Sequence, residues 1–358
     1  MTAVTVLSEE RLNRALETVV GELGAAYTAP MVRLGDRLGL YRALTAQGPL
    51  TPHDLARRTG THERLVREWL NQQTVSGFIT RNAARGTYAI LPEYAAMFGT
   101  PGHPAAVSGN FDVLAAIYAD LDRLEEAFRS DGQIDWSDHS GCLFCGVERV
   151  FATGYETFLV QDWLPALDGV TDRLRKGGAR VVDIGCGHGA STIFMAQAFP
   201  ESRFTGIDFH TDSVEQARAH ARERGVTANL AFETGDARTY KAAGLDLVTT
   251  FDALHDMGDP VGAARHIRET LAEDGTFMIV EPYGEDEIET AIGSPVARQM
   301  FAASTAICVP CSLSQEVGAA LGAQAGPKRI EEVCRAAGFS RFRVAATTPF
   351  NLVLEARP

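Results

Sequence analysis

Four acids and three glycines set the chemistry this sequence can do. The glycines, Gly185, Gly187 and Gly189, fall in VVDIGCGHGASTIFMAQAF, between a hydrophobic run and an apolar stretch of helical composition. Glycines at such a turn let a ligand lie against the backbone. A dinucleotide fingerprint would place its third glycine at position 190, which is Ala190, and a P-loop would continue Gly-Lys-Ser or Gly-Lys-Thr, which this loop does not. Asp183, two residues before the first glycine, would repel a phosphate and attract an ammonium or a sulfonium. Asp208 ends the next strand-like run, FTGIDF, about 20 residues beyond the loop, where an acid takes the two hydroxyls of a ribose. Asp236 in ETGDAR and Asp252 in TTFDALHDM end two further runs. Any one of these acids could cap a helix or hold a turn. Four in order at four strand ends mark a cofactor site.

Two residues are suited to moving a proton. His255, in ALHDMGDP just past the fourth run, can take one from a hydroxyl as a neutral imidazole, with Asp256 to orient it; the plainer reading is a histidine that packs a loop. Glu281, ending the fifth run in IVEPYG, is the second candidate base, or else a carboxylate that holds the Pro282 turn. Asp259 before Pro260 reads as a helix cap. The cysteines include two C-x-x-C pairs, Cys142/Cys145 and Cys308/Cys311, which enclose Leu-Phe and Val-Pro. Zinc knuckles favour glycine and polar residues inside the turn, so these read as reduced structural thiols and no metal is expected.

The elements that must position these residues follow from periodicity. Seven strand-like runs, RVVDIGC, RFTGIDF, ANLAFET, LDLVTTF, GTFMIVE, RFRVAAT and FNLVLEA, alternate for the most part with helical stretches at 189–199, 211–224, 260–272 and 327–337. That order predicts an α/β fold whose first five strands are parallel. The last two, joined by a tight turn at TPF, should pair antiparallel. An insertion, Pro282 to Gly326, leaves from the carboxyl edge, where ligands bind, and is expected to cover a substrate. Upstream, a helix over 8–26 carries an apolar stripe of Leu12, Leu16, Val19, Val20 and Leu23, and a second helix should cover 30–46 with Pro30 in its first turn. Two short helices and the hairpin GFITR…GTYAI then make a winged-helix arrangement. The segment 92–170 reads as mostly helical around a loose stretch, RSDGQIDWSDHSGCLFCG.

Charge and length narrow the function classes. A chain of 358 residues with 45% hydrophobic content suits two domains. The net charge is −13, and residues 1–100 hold eleven Arg against nine acids, too small an excess for a dedicated nucleic-acid binder. The presumed recognition helix, THERLVREWLNQQ, sets Glu63 and Glu68 against Arg64 and Arg67, so no nucleic-acid partner is expected. No run approaches the roughly 18 apolar residues of a membrane helix. MTAVTVLSEERLNRALE turns charged too early for a secretory signal, so neither membrane nor export is expected and the cytoplasm is the expected location.

The motif VVDIGCGHG, with the acids that follow it, resembles the first motif of class I methyltransferases that use S-adenosylmethionine, over roughly residues 150–358. The longer DIGCGHGAST and the ending TPFNLVLEARP are similar to an actinobacterial group of these enzymes with an N-terminal winged helix. The resemblance implies a Rossmann-like seven-stranded sheet and three parts: a helical and winged-helix dimerisation domain at 1–100, a helical linker covering the active site at 101–170, and the cofactor-binding domain at 171–358 with the insertion 282–326. It implies S-adenosylmethionine as cofactor, with the three glycines against its methionine part and Asp183 acting on the aminoacyl end through water or backbone. Asp208 and Phe209 would lie at the ribose, and Asp236 and the Ala237 amide at the adenine. Phe251, Asp252 and Tyr155 would stand beside the cofactor, with Glu148 and Arg149 near Tyr155 and His188 filling the cofactor's edge. Similar O-methyltransferases place their base in an HD pair like His255–Asp256. The implied reaction is methyl transfer to a small-molecule acceptor, to an oxygen of a secondary metabolite, by a homodimer joined across the Leu12–Leu23 stripe. The competing readings are carbon methylation of a prenyl diphosphate or keto acid, with Glu281 or Glu148 as base and a metal on His255–Asp256, and a DNA-binding regulator.

Overall fold

Pro30 does not begin a helix. In the computed structural model, which describes residues 7–358, the first helix runs unbroken through Pro30 from Glu9 to Arg37, with Ser8 as its N-cap. A proline inside a helix costs about 3 kcal/mol. The turn beyond it is held from outside: Val32 and Gly35 are buried, a side chain at Gly35 would strike the Trp69 ring at 2.4 Å, and the Trp69 indole N–H donates to the Met31 carbonyl at 2.9 Å. The break falls at Gly39, whose φ of +69° favours glycine, and Leu40–Gln47 follows as a short helix.

Contacts divide the chain into two units, residues 7–115 with 145–150, and residues 116–144 with 151–358; the segment 101–170 is shared between them. In the first unit the helices Pro52–Thr59 and Glu63–Val75 precede the antiparallel strands β1 (Ile79–Asn82) and β2 (Thr87–Ile90). Thr51 caps the first of these helices by accepting from the Asp54 N–H. Tyr41, Leu55, Val66, Trp69 and Leu70 fill the core, where the Tyr41 hydroxyl donates to the buried Gln73 amide. On the Glu63–Val75 helix, Arg64 pairs with Glu68 and Arg67 with Glu63. Leu16, Val19, Val20 and Leu23 stand exposed on the long first helix.

The second unit is built on seven strands: β3 (Arg180–Ile184), β4 (Arg203–Asp208), β5 (Leu230–Thr234), β6 (Leu245–Phe251), β7 (Leu271–Pro282), β8 (Arg341–Thr347) and β9 (Asn351–Arg357). Their order across the sheet is β5-β4-β3-β6-β7-β9-β8. The first five are parallel, and β9 runs antiparallel between β7 and β8. Ala190–Ala198, Thr211–Glu223, Pro260–Thr270 and Gly326–Ala336 form the connecting helices. Chain order reverses at β3, so the loops after β3 and β6 flank a crevice at the carboxyl edge.

The insertion after β7 is helical, and it corrects the expectation of no membrane-length stretch. Pro295–Ser314 spans 20 residues with mean hydropathy 1.2, enough by length and composition for a span, and 44% of it is buried within the protein. Its apolar character follows from that packing: Ala306, Ile307, Cys308 and Cys311 are all buried.

Candidate active site

The three glycines are glycine for different reasons. A side chain at Gly185 would meet Ala253 at 2.7 Å, and one at Gly189 would meet the Phe232 ring at 2.5 Å, so both serve packing. Gly187, at φ +51°, faces nothing within 4 Å and leaves an opening against the backbone. The loop is stapled from β4: the Gly185 N–H donates to the Ile207 carbonyl at 2.8 Å and the Gly187 N–H to the Asp208 carboxylate at 2.8 Å. Asp208 also accepts from the His210 N–H at 2.9 Å. Burial raises its pKa, and these two amides pull it back.

Asp183 points into the protein. It is fully buried and accepts hydroxyl bonds from Ser191 and Thr192 at 2.7 Å each and from Thr249 at 2.9 Å. Burial lifts its carboxyl to about 6 against the pull of those hydroxyls. It therefore holds the strand end, the loop and the following helix together, and what it presents to a ligand is that loop. Phe209 is exposed on the loop after β4, beside His210, whose ring stacks on Phe144 with centroids 5.2 Å apart. Asp236 is bound to Arg238 at 2.8 Å, which lowers its pKa, and Ala237 between them is half-buried.

Asp252 follows β6 at φ +50°, a backbone region that few residues other than glycine enter. Its N–H donates to the Val280 carbonyl at 2.7 Å, and its carboxyl meets the Tyr155 hydroxyl and the Asn351 amide, each at 3.4 Å. Burial and the Glu281 charge push this carboxyl well above its usual range. Tyr155 is buried with its ring 5.2 Å from Phe251, which is buried too, so the expected neighbours Tyr155, Phe251 and Asp252 do come together. Arg149 is bound to Asp36 at 2.9 Å and to Asp112.

The two candidate bases, 26 residues apart, are hydrogen-bonded to each other. Glu281 takes the His255 Nδ1–H on one oxygen and the Leu254 N–H on the other at 3.1 Å. On the far side, His255 Nε2 lies 3.2 Å from Asp256 Oδ1. That buried oxygen has no hydrogen-bond partner, so the contact is close but out of line. Burial draws the imidazole pKa down, but Asp256 and Glu281 outweigh it and hold the ring well above its usual value. Cys308, from the insertion, brings its sulfur within 4.8 Å of ligand atoms of His255 and Asp256, and burial pushes its thiol up to about 12.

The insertion pins this loop by its backbone as well. The Gln315 amide donates to the Asp256 carbonyl at 2.8 Å and accepts from the Gly258 N–H at 3.0 Å, while the Ser312 hydroxyl donates to the Met257 carbonyl at 2.8 Å. The sequence marks Cys308 only as half of a C-x-x-C pair and does not mark Ser312 or Gln315, because nothing in their spacing points at residues more than fifty positions away. Among the described residues, His255, Asp256 and Cys308 are the three whose ligand atoms, all within 4.8 Å of one another, could hold a metal ion. The C-x-x-C pairs contribute one cysteine to that group; Cys145 is exposed elsewhere.

Residues 175–333 match the family model described as a methyltransferase domain, and residues 26–100 match an Rv2258c-like winged helix-turn-helix domain. The fold is similar to that of mitomycin 7-O-methyltransferase (TM-score 0.69, 21% identity, covering 98% of this chain and 100% of that one). It is also similar to human N-acetylserotonin methyltransferase in complex with SAM (TM-score 0.68, 17% identity, 99% of each chain). In sequence, 117 residues are 34% identical to 27-O-demethylrifamycin SV methyltransferase of Amycolatopsis mediterranei, over 31% of this chain and 43% of that protein. The chain spans less than half the length of the first curated relatives it matches. The two models match successive stretches of one chain.

Proposed function

We propose that this chain, a methyltransferase domain behind a winged-helix domain, methylates an oxygen of a small molecule of secondary metabolism with S-adenosylmethionine as methyl source. The observation that carries the reading is the buried His255–Glu281 pair at the carboxyl edge of the sheet. The cofactor, when bound, supplies a methyl group already activated by a positively charged sulfur. The residues present fit it: Gly187 leaves an open cradle, and the surrounding donor set is one of carboxylates, suited to a cationic, hydroxyl-bearing molecule. Gly185, Gly187 and Gly189 would take its amino-acid part, with Asp183 acting through the loop it anchors. Asp208 would take the ribose beside Phe209, and Asp236 with the Ala237 amide the adenine. Tyr155, Phe251 and Asp252 would wall the methyl end.

What remains for the chain is to align the acceptor and remove its proton. Glu281 fixes His255 through Nδ1, so Nε2 is the nitrogen that takes the hydroxyl proton, exchanging its out-of-line contact with Asp256 for the acceptor oxygen. The winged-helix domain serves assembly: its recognition helix has its arginines paired within the helix, which leaves no positive excess for phosphates. The exposed stripe of the first helix joins two copies across a two-fold axis, and light scattering at micromolar concentration should report a dimer. The thiols Cys186, Cys308, Cys311 and Cys334 are free, which suits a reducing cytoplasm.

The test is to incubate the protein with cofactor carrying a deuterated methyl group and a metabolite extract, then locate the label by mass spectrometry. Label on oxygen supports the reading. Label on carbon transfers the chemistry to the competing class, and no labelled product from any extract overturns it.

A further inference from the structure

Gln315 and Glu316 are neighbours in the chain that take hold of different loops. Gln315 grips the backbone at Asp256 and Gly258. Glu316 accepts from the Arg238 guanidinium at 2.9 Å, on the loop after β5. Arg238 in turn forks onto Asp236: its Nε–H donates to Oδ1 at 3.1 Å and its Nη2–H to Oδ2 at 2.8 Å. The Arg238 backbone N–H adds a second bond to Oδ1, at 2.7 Å. An isolated ion pair at a surface is worth little, but a fork on one carboxylate fixes its plane.

Counting acceptor places gives this fork a meaning. A carboxylate offers about four, and on Asp236 two are filled at Oδ1 and one at Oδ2. One place on Oδ2 is left. The carboxyl, held below its usual range by Arg238, is ionised and can only accept there. The Asp236 side chain is 44% exposed, so a ligand can reach that place.

The segment behind Glu316 is strained. Val317 sits at φ +76°, a region that β-branched residues rarely enter, and Gly318 and Ala320 also take positive φ. The turn is held from both sides: the Ala319 N–H donates to the Gly258 carbonyl at 2.8 Å and the Ala320 N–H to the Ser312 hydroxyl at 3.0 Å. A strained turn held by a few bonds is an element that one more contact can bias.

We propose that Arg238 is a positioning residue for the cofactor and that Glu316 makes the insertion part of its grip: the fork aims the remaining acceptor place of Asp236 at the exocyclic amine of adenine, and filling that place holds the insertion closed over the His255 loop. This rests on the methyltransferase reading and adds to it a coupling between the two ends of the site. The coupling runs both ways, as any binding linkage must. A closed insertion keeps Arg238 and Asp236 aligned for the amine, and the amine keeps them aligned for Glu316.

S-adenosylhomocysteine is the probe, and the control is its analogue with hydrogen in place of the adenine amine. Each is titrated into the full-length protein by calorimetry, and hydrogen exchange of the Ala319 and Ala320 amides is followed at saturation. Wild type should prefer the amine about tenfold, the worth of one charge-assisted hydrogen bond. Arg238→Met should cut that preference to about threefold or less, and Arg238→Lys, which keeps the charge without the fork, should lie between. In wild type the amine-bearing ligand should slow exchange at Ala319 and Ala320 more than its analogue does. Glu316→Ala should keep most of the preference and lose that difference. A full preference in Arg238→Met, an exchange difference that survives in Glu316→Ala, or amides that both ligands slow alike in wild type overturns the proposal. A merely structural Arg238 would weaken both ligands together, and wild-type exchange decides the matter should the variants fail to fold. If S-adenosylhomocysteine does not bind at all, the methyltransferase reading fails. If it binds without preference for the amine, Asp236 loses its adenine role and this proposal falls with it.

Discussion

The β3–β4 side of the second unit and the β6–β7 side use carboxylates in opposite ways. On the first, Asp183 and Asp208 spend their oxygens on hydroxyls and backbone amides, each within one loop or one neighbouring strand. On the second, Asp252, Asp256 and Glu281 crowd around a single imidazole, and one Asp256 oxygen is left without a partner. The first arrangement makes a stiff cradle. The second concentrates charge in a dry place, where a new donor or acceptor changes the balance most. On the proposed function the contrast separates binding from chemistry, and it can be broken from either side.

The largest effect should come from His255. Replacing it by alanine should lower the rate of the chemical step by roughly 10²–10⁴ and leave cofactor affinity nearly unchanged, as single-turnover kinetics beside calorimetry would show. A histidine that only packs its loop would lower the melting temperature with modest loss of rate.

Asp208→Ala probes the opposite side. Loss of its charge-assisted bonds should weaken S-adenosylmethionine by about 1–3 kcal/mol with the single-turnover rate at saturation little altered. Wild-type affinity in this variant would remove the ribose role from Asp208.

A smaller effect lies in pH. With its pKa held above the usual imidazole range by Asp256 and Glu281, against burial, His255 is protonated near neutrality, so the rate should climb with pH on the alkaline side of 6.5. Glu281→Gln should move that limb down toward ordinary imidazole values. The same shift bears on stability: a raised folded pKa contributes fully below the unfolded value of about 6.5 and is lost as pH rises through the folded value. Urea denaturation on either side of that window should show wild type losing more stability than Glu281→Gln. A rate limb at the same pH in both proteins would detach Glu281 from the base.

The smallest effect is expected from chelation. Burial keeps the Cys308 thiol protonated, a poor ligand but a good partner for Asp256, so an added chelator should leave the rate as it was. Lost activity restored by a divalent metal would recast His255, Asp256 and Cys308 as ligands.

The same divide governs what can be read from the sequence. The glycine loop, the strand ends and the acids at 183, 208, 236 and 252 are legible because each acid sits at the end of a strand-like run that local composition marks, whatever it goes on to bond. What Asp183 does there was harder to see, since its third hydroxyl comes from Thr249, on another strand. On the β6–β7 side, His255 and Glu281 could each be picked out by position, but their bond depends on β6 pairing with β7 in one register. The thiol of Cys308 and the amide of Gln315 arrive from an insertion with no period to read. Pro30 misled for a related reason: local propensity marks a helix start there, and contact with Trp69 overrides it.

Gln315 has a kinetic consequence. Its single amide bridges Asp256 and Gly258, so the insertion cannot swing outward to admit a molecule without releasing the backbone that aims His255. With the Ser312 bond to the Met257 carbonyl and the Ala319 N–H bond to the Gly258 carbonyl, four bonds must part, at a cost of about 2–6 kcal/mol, so open molecules make up roughly a few per cent of the population at most. Entry and arming then become successive halves of one event. On the proposed function, a molecule that slips in would find His255 slack, and the clock of the reaction would start only when the amide returns.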